Sequence, residues 1–345
     1  MKVAIISDIH LGCKKYRSEE NGFNKFEQAG YDAIDKYVDI ILSEKPDLVI
    51  NAGDVFEKAN PSILAMTKYV QVQDRLKDIP TMCILGNHDF SFENRLNNCS
   101  AAEMAKHTYF ADYSLKAIEM NDILFVLMPY IYDNDENIKK YFDYCKEVTL
   151  KSTCKKKILI THGVTEKYYR DHLLNDHYMF FTDEFVSMFD FVIIGHVHTP
   201  FSYKQKNTIV LSPGAMIDYQ AYEDRTGPVI LDTDTFKFHK IKVKTPHIIK
   251  KTCNEETINE LLSNVTEDIY HISYEGDVSA IDNDLFIEAK NKSINITIDV
   301  IENELENDEN TTKITEFMPL LKWVKENYSD YTEIFEKSLD SMKTE

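Results

Sequence analysis

Short apolar runs rich in β-branched residues recur through the first two thirds of the chain. They are VAIIS (3–7), DLVINA (47–52), TMCILG (81–86), ILFVLM (123–128), KILIT (157–161), FVIIG (191–195) and TIVLS (208–212). Near-continuous apolar runs of this length are typical of strands that are buried on both faces. The pattern therefore predicts a sheet whose two faces are both covered.

Helical patterns separate some of these runs. Apolar residues recur at steps of three and four over residues 23–42, and Pro46 ends that pattern. Asn60-Pro61-Ser62 resembles an N-cap with Pro at the first helical position, so we predict a second helix that runs to about residue 77. Strands that alternate with helices predict an α/β layered domain.

Polar residues of the kinds that bind metals stand directly after five of the predicted strands. They are Asp8 and His10 in SDIHLG, Asp54 in NAGDVF, Asn87 in LGNHDF, His162 in ITHG, and His196 and His198 in GHVHT. Ligands of open α/β sheets gather beyond the carboxyl ends of the strands. We therefore expect these side chains to meet in one site.

The residue types in this set predict a centre with two metal ions. Hard divalent cations take oxygen and imidazole ligands, and the set contains no thiolate. We assign Asp8, His10, Asp54 and His198 to one ion, and Asp54, Asn87, His162 and His196 to the other. Two ions about 3.5–4 Å apart activate a water molecule and clamp a phosphate for in-line attack. Manganese is the metal we expect, and iron or zinc also suits these ligands.

The two residues after Asn87 are candidates for acid catalysis. We expect His88 to lie beside the bound phosphate, where it either stabilises the developing charge or protonates the leaving oxygen. Asp89 is a candidate to hold the His88 imidazole in the useful tautomer.

Three cationic residues follow the first motif, namely Lys14, Lys15 and Arg17. They suit contacts with a DNA backbone, because phosphate contacts come mainly from Lys and Arg. A solvated loop explains them equally well, and the sequence leaves both interpretations open.

The composition suits a folded protein of a reducing compartment. Of the 345 residues, 43% are hydrophobic, so a large core can be buried. The six Cys form no C-x-x-C pair, which argues against a disulfide framework. The segment MKVAIIS is too short for a signal sequence, and no apolar run reaches the length of a membrane span. We therefore predict a cytoplasmic protein without membrane contact, in the host cytoplasm if the source is a virus.

The net charge of −19 argues against a nucleic-acid partner until its distribution is considered. Residues 1–250 carry 31 Lys and Arg against 35 Asp and Glu, a net charge of −4, whereas residues 251–345 carry 8 against 23, a net charge of −15. Charges more than about 8 Å apart are largely screened at physiological salt, so local patches matter more than the total. We infer that the C-terminal region does not bind a phosphate backbone through bulk charge.

The patterns predict four parts of the chain. These are a large catalytic domain over residues 1–246, a small α+β domain over 247–301, an acidic linker over 302–310 and a helical tail over 311–345. The tail is amphipathic, so it either docks on its own domain or binds a partner.

The motifs D-x-H, G-D, G-N-H-D, H-G and G-H-x-H together resemble the calcineurin-like metallophosphoesterase superfamily. The longer strings SDIHLG, GDVFEKANPS, GNHDF and SPGAMIDYQAYEDRTGPVILD resemble the nuclease subunit of the double-strand-break repair complex. This is the SbcD and meiotic-recombination-eleven family, with its smaller bacteriophage relatives. The motifs G-D-x-x-D-R-G and R-G-N-H-E, which mark the serine/threonine phosphatases of the superfamily, are missing.

The resemblance implies a metallophosphoesterase β-sandwich flanked by helices and a manganese-dependent DNA exonuclease and endonuclease. It implies that residues 247–301 form a capping domain that shapes access of DNA. It also implies an SbcC-like coiled-coil ATPase partner held by residues 311–345, and a homodimer within a heterotetramer. By motif position, the seven residues assigned to metals carry over as ligands and His88 as the catalytic histidine.

The sequence departs from the family pattern at Glu57. Many relatives have a second functional His after G-D-x-F, and this chain has Glu57 there. The departure leaves the balance of exonuclease and endonuclease activity open, and Glu57 also suits a plain surface position. Two other functions share the motifs or the fold: a phosphatase or cyclic-nucleotide phosphodiesterase, and a non-catalytic scaffold.

Overall fold

A computed structural model describes residues 1–89, 102, 107–112, 114–131, 135–172, 180–218 and 227–301. Its strands are β1 (Lys2–Ile6), β2 (Glu19–Glu20), β3 (Phe23–Asn24), β4 (Leu48–Asn51), β5 (Thr81–Ile84), β6 (Tyr109–Ala111), β7 (Lys116–Met120), β8 (Ile123–Met128), β9 (Lys156–His162), β10 (Val164–Thr165), β11 (Phe180–Phe181), β12 (Phe191–Gly195), β13 (Phe201–Gln205), β14 (Thr208–Ser212), β15 (Val229–Asp232), β16 (Lys237–Lys240), β17 (Ile248–Asn254), β18 (Ile269–Glu275) and β19 (Asn295–Val300). Its α-helices are α1 (Lys25–Glu44), α2 (Ile63–Arg75), α3 (Asp135–Lys151), α4 (Glu166–His172), α5 (Asp183–Val186), α6 (Ile258–Ser263) and α7 (Asn283–Lys292).

Two six-stranded mixed sheets form the catalytic part of the chain. The first has the order β16-β15-β1-β4-β5-β6, and the second has the order β13-β14-β12-β9-β8-β7. Strands β1, β4, β5 and β6 run parallel, as do β8, β9, β12 and β14. The outer strands β15, β16, β13 and β7 are antiparallel to their neighbours. Every apolar run singled out in the sequence forms a strand of these two sheets.

The two sheets pack face to face over a shared apolar core. Ile5 and Ile50 of the first sheet belong to the same buried cluster as Phe125, Ile158 and Ile193 of the second. The outer face of the first sheet packs on α1 and α2, and the outer face of the second packs on α3 and α5. The predicted α/β layered fold, a β-sandwich flanked by helices, is confirmed.

Helix α1 covers the first sheet. The Asn24 side chain caps the helix by accepting a hydrogen bond from the Glu27 N–H at 3.0 Å. Its buried face includes Ile34 and Ile41, as the periodicity predicts. Phe23, which the helical pattern of the sequence includes, lies outside the helix in β3 and is exposed.

Helix α2 begins later than the sequence predicts. Ser62 is the N-cap, since its Oγ accepts a hydrogen bond from the Ala65 N–H at 3.1 Å. Asn60 and Pro61 therefore lie before the helix, and the prediction that Pro61 occupies the first helical position is wrong. The hydroxyl of Ser62 reaches the third helical N–H, which is the usual geometry of a serine cap.

Residues 248–300 form a small three-stranded parallel sheet with the order β17-β18-β19. Helices α6 and α7 pack on it around Tyr270, Ile272 and Tyr274. The helices and strands that the sequence predicts over residues 255–300 are present, but the α+β class is wrong for this part: its strands are all parallel and alternate with the helices, which is an α/β arrangement. Residues 1–301 form one compact unit, and the proposed domain boundary at residue 246 stays a prediction.

The small sheet contacts the catalytic part through an apolar junction. Ile248, Ile269 and Ile294 pack against a cluster that contains Cys13 and Phe26. On the rim of this junction, the Lys25 ammonium donates hydrogen bonds to three main-chain carbonyls around the end of α7 (those of Lys290, Asn291 and Ser293). A cation at a helix C-terminus is favourable because the last carbonyls lack partners within the helix.

The predicted linker over 302–310 and the predicted helical tail over 311–345 lie outside the described residues. Among the helices that the structure describes, none is both long enough and apolar enough to cross a bilayer.

We expect Ile272→Ala to lower the free energy of unfolding by about 2–5 kcal/mol, because it leaves a cavity in the core of the small sheet. Ile287→Ala on α7 is the matched control, since Ile287 is exposed. Urea unfolding measures both. If residues 247–301 are a separate domain, the protein shows two unfolding transitions, and Ile272→Ala shifts only one of them to a lower urea concentration. A single transition that moves as a whole contradicts the predicted boundary.

Candidate metal centre

The predicted site residues lie where the carboxyl ends of the two sheets meet. Asp8 and His10 follow β1, Asp54 follows β4, Asn87 follows β5, His162 ends β9, and His196 and His198 follow β12. Strands β1, β4 and β5 belong to the first sheet, and β9 and β12 to the second. The structure brings all seven side chains together, as the sequence predicts.

Four of these residues have a left-handed backbone. The φ angles are 50° at Asp8, 48° at His10, 52° at Asp54 and 93° at His196. This conformation is uncommon outside glycine and costs on the order of 1–3 kcal/mol per residue. Main-chain hydrogen bonds hold the loops there, including Asp8 N–H to Gly53 O at 3.0 Å. Such strain concentrates at functional sites.

Two glycines permit the close approach of the loops. A Cβ at Gly86 would collide with the Asp54 carboxylate, and a Cβ at Gly195 would collide with the Ser7 hydroxyl and the His162 ring. The motifs G-N-H-D and G-H-x-H therefore need their glycines because no space is left for a Cβ.

The first candidate ion site consists of Asp8, His10 and His198, whose ligand atoms lie within 4.8 Å of one another. His10 Nε2 lies 3.1 Å from His198 Nε2. Asp8 and His10 are buried, and one Asp8 oxygen accepts a hydrogen bond from the His196 N–H at 2.9 Å. Two imidazole nitrogens and a carboxylate thus face one small space.

The second candidate ion site consists of Asp54, His162 and His196, with Asn87 between the two rings. Asn87 Oδ1 lies 3.1 Å from His162 Nε2 and 2.7 Å from His196 Nδ1. His162 Nδ1 lies 2.8 Å from the Ala52 carbonyl, so this nitrogen donates its proton to the main chain. His162 Nε2 is therefore the nitrogen available to a metal.

The Asp54 carboxylate lies between the two candidate ion sites. Its Oδ2 lies 3.6 Å from His10 Nε2 and 3.2 Å from His162 Nε2. Its Oδ1 accepts a hydrogen bond from the His88 N–H at 2.8 Å. One carboxylate oxygen thus stands between the two nitrogen sets, where the sequence placed a bridging ligand.

The electrostatics of the site suit divalent cations. Burial would raise the pKa of Asp54, but the nearby His162 charge brings that pKa below its usual range. Burial, together with repulsion from neighbouring imidazoles, lowers the pKa of both His196 and His198 to about 3. These two rings are therefore neutral at physiological pH, which is the form that binds metals.

His88 is oriented by a main-chain carbonyl. Its Nδ1 lies 2.8 Å from the Glu57 carbonyl oxygen, which leaves Nε2 as the nitrogen available to a substrate. The His88 ring meets the His10 ring edge to face, with centroids 4.7 Å apart.

The predicted role of Asp89 is wrong. Its buried carboxylate accepts hydrogen bonds from the N–H groups of Gly86, Phe56 and Val55 at 2.9, 3.1 and 3.3 Å. These bonds tie the Asp54 loop to the Asn87 loop, and the Glu57 carbonyl rather than Asp89 holds His88. Burial, and then the Asp54 charge, raise the pKa of Asp89 to about 6.

Glu57 belongs to the site, although the sequence also left it as a surface residue. Its side chain is only 28% exposed, and its Oε2 lies 3.1 Å from His10 Nδ1. Burial raises the pKa of Glu57, but contact with His10 outweighs this effect and lowers it. Two sequence signals marked it: its position three residues after Asp54, and the second functional His that the family pattern has at this position.

A pocket of about 600 Å³ adjoins His198 and contains Lys14, Lys15 and Lys58. We call it the lysine pocket. Arg17 is exposed on the same loop but does not line the pocket. Lys14 also lies 3.4 Å from a Glu27 carboxylate oxygen. Two of the three cationic residues that the sequence singled out therefore stand beside the metal-type residues, and Lys58 joins them.

We expect Asp89→Ala to destabilise the metal-free protein. Each buried N–H left without an acceptor costs about 1–3 kcal/mol, so the three losses should lower the free energy of unfolding by at least about 3 kcal/mol. Asp74→Ala on α2 is the control, because Asp74 is exposed. Urea unfolding in the presence of a chelator measures both, and equal losses in the two variants would contradict the role given to Asp89.

Relatives of the chain are named as a DNA repair protein and as a nuclease subunit. A segment of 91 residues is 35% identical to the DNA double-strand break repair protein Mre11 of Saccharolobus solfataricus, over 26% of this chain and 23% of that protein. A longer segment of 249 residues is 26% identical to the SbcD component of the SbcCD nuclease of Staphylococcus saprophyticus, over 65% of this chain and 63% of that protein. The chain thus matches about a quarter of the archaeal relative and less than two thirds of the bacterial one.

Among solved structures, the chain resembles a dimetal phosphatase from Danio rerio with a TM-score of 0.45 and 11% identity, over 66% of this chain and 91% of that one. Residues 1–200 match the sequence profile of the calcineurin-like phosphoesterase family, and this match spans more than half of the 345 residues and includes all seven metal-type residues. The chain belongs to the calcineurin-like phosphoesterase family.

Proposed function

We propose that the chain is the nuclease subunit of a double-strand-break repair complex, and that it hydrolyses DNA phosphodiesters with two divalent ions. The observation that carries this proposal is the placement of Asp54 Oδ2 between His10 and His162, with the other metal-type residues arranged around them. The relatives named for DNA double-strand break repair favour nucleic acid as the substrate.

The residues present fit the proposed ions. Asp8, His10, Asp54 and His198 would hold one ion, and Asp54, Asn87, His162 and His196 the other. The donors are carboxylate, amide and imidazole groups, which suit manganese, with iron or zinc as further possibilities. When bound, such a pair of ions activates water for attack on phosphorus and neutralises phosphate charge.

His88 is the proposed acid. Its Nδ1 donates a hydrogen bond to the Glu57 carbonyl, so Nε2 is the atom that would face the substrate; as an imidazolium, with a proton on each nitrogen, the ring would stabilise the developing charge or give the Nε2 proton to the leaving oxygen. The Asp54 carboxylate fixes the His88 main chain through Oδ1. The imidazole is therefore held from two directions.

The lysine pocket is the proposed contact with the DNA backbone. Lys14, Lys15 and Lys58 place positive charge next to His198. They belong to residues 1–250, in which the numbers of cationic and acidic residues are nearly equal. Phosphate contacts of this kind position a strand without reading its sequence. Arg17 lies further out, on the same loop.

The proposed partners are DNA, an SbcC-like coiled-coil ATPase bound by residues 311–345, and a second copy of the chain within a heterotetramer. We place this assembly in the cytoplasm. A capping domain over residues 247–301 would flank the entrance, because its sheet packs against the Cys13 loop that lines the lysine pocket.

We expect the purified chain to cut linear duplex DNA in the presence of Mn²⁺, and to lose this activity with a chelator. His88→Gln should lower kcat by about 100- to 10,000-fold, which is the usual range for loss of acid catalysis. His239→Gln on β16 is the control, because His239 is exposed on the edge strand of the first sheet and is not one of the metal-type residues. Cleavage of p-nitrophenyl phosphate without DNA cutting would favour a phosphatase, and full activity of His88→Gln would contradict the assigned acid.

We expect calorimetric titration to show two Mn²⁺ ions per wild-type chain. Asp54→Asn should weaken both sites, since Asp54 faces both nitrogen sets. Asp74→Asn should leave both sites unchanged, because Asp74 is exposed on α2. One ion per wild-type chain, or two ions in Asp54→Asn with wild-type affinity, would contradict the two-ion assignment.

A further inference from the structure

Glu57 has a position fixed by pairing between two ligand loops. Its N–H donates a hydrogen bond to the Leu11 carbonyl at 3.1 Å, and Leu11 pairs with Phe56 in an isolated parallel bridge. Leu11 directly follows His10, and Phe56 lies two residues after Asp54. These contacts fix the position of the Glu57 backbone relative to the loop that carries His10.

The Glu57 side chain meets the outer nitrogen of His10. Its Oε2 lies 3.1 Å from His10 Nδ1, and the His10 ring is almost completely buried. At this ion-pair distance the carboxylate favours a proton on Nδ1 electrostatically, which leaves the lone pair of Nε2 directed at Asp54 and His198. The wrong tautomer would place a proton between His10 and the proposed ion.

The main chain of Glu57 acts on a second imidazole. Its carbonyl oxygen accepts a hydrogen bond from His88 Nδ1, with 2.8 Å between the two atoms. The two rings stand edge to face, so one residue fixes the orientation of two neighbouring histidines. Substituting the side chain removes only the contact with His10, because the carbonyl is retained.

We propose that Glu57 is a positioning residue that aligns His10 to hold a divalent cation together with Asp8 and His198. A carboxylate behind a metal-binding imidazole fixes its tautomer and raises its basicity, and loss of such a partner lowers metal affinity by about 10- to 100-fold. The proposal rests on the function proposed above for the two ions. It is confined to one of the two sites, because His162 is oriented by the Ala52 carbonyl instead.

Titration with Mn²⁺ tests this selectivity. Calorimetry should show two ions in the wild-type chain, one of which binds about 10- to 100-fold more weakly in Glu57→Ala while the other is unchanged. Glu57→Gln retains an acceptor oxygen and should recover part of the loss. Glu20→Ala is the control, since Glu20 is an exposed glutamate in β2.

The metal-free protein provides a second measurement. Histidine labelled with ¹⁵N reports which ring nitrogen carries the proton, without any metal or substrate. The His10 signals, assigned from a His10→Gln variant, should show protonated Nδ1 in the wild type and in Glu57→Gln. In Glu57→Ala this preference should be lost, whereas the signals of His88 should keep protonated Nδ1. A merely structural role of Glu57 would not produce that difference.

Activity distinguishes this proposal from the function it rests on. Glu57→Ala should need about 10- to 100-fold more Mn²⁺ for half-maximal cleavage of DNA and should approach wild-type kcat when Mn²⁺ saturates. Unchanged binding in Glu57→Ala, or equal weakening of both sites, overturns the role of Glu57. A wild-type chain that binds two ions but cuts no DNA overturns the proposed function and leaves the role of Glu57 standing. A wild-type chain that binds no Mn²⁺ overturns both.

Discussion

Asp54 places a negative charge where two sheets meet and where almost no solvent reaches. An isolated buried carboxylate is strongly unfavourable, so the surrounding residues must compensate for it. The imidazole Nε2 atoms of His162 and His10 lie 3.2 and 3.6 Å from its Oδ2, and the His88 N–H donates a hydrogen bond to its Oδ1. The other loops take their positions around this group: Gly86 leaves space for it, and Asp89 ties its loop to the Asn87 loop. The same requirement for compensating positive charge makes the site suited to cations.

The sequence predicts the sandwich and its ligand set because both depend on local signals. Buried strands are continuous apolar runs, and metal-type residues at their carboxyl ends converge whatever the lengths of the connecting segments. Hydrogen-bond partners between loops are not encoded in this way. Asp89 stands next to His88 in the chain, yet its carboxylate turns to three N–H groups, while Glu57, 31 positions upstream, reaches the imidazole. Which acceptor faces a ring nitrogen depends on how two loops pack, and neither loop shows this alone.

The predicted start of helix α2 was wrong for a related reason. Asn60, Pro61 and Ser62 are all suitable starting residues, and propensity does not rank their exact positions. Ser62 is the cap because its hydroxyl accepts a hydrogen bond from the Ala65 N–H, and Asn60 and Pro61 precede the helix. At the other end of the catalytic part, the junction with the small sheet combines an apolar cluster with the Lys25 ammonium on the last turn of α7. The position of the small sheet is thus linked to the Cys13 loop beside the candidate centre.

The left-handed backbone at Asp8 and Asp54 affects what mutation can achieve. Asparagine tolerates this conformation well and has nearly the same shape as aspartate. An amide at either position would remove the ionic charge without forcing the loop to refold. Such a substitution would therefore separate the charge of the site from the folding of its loops.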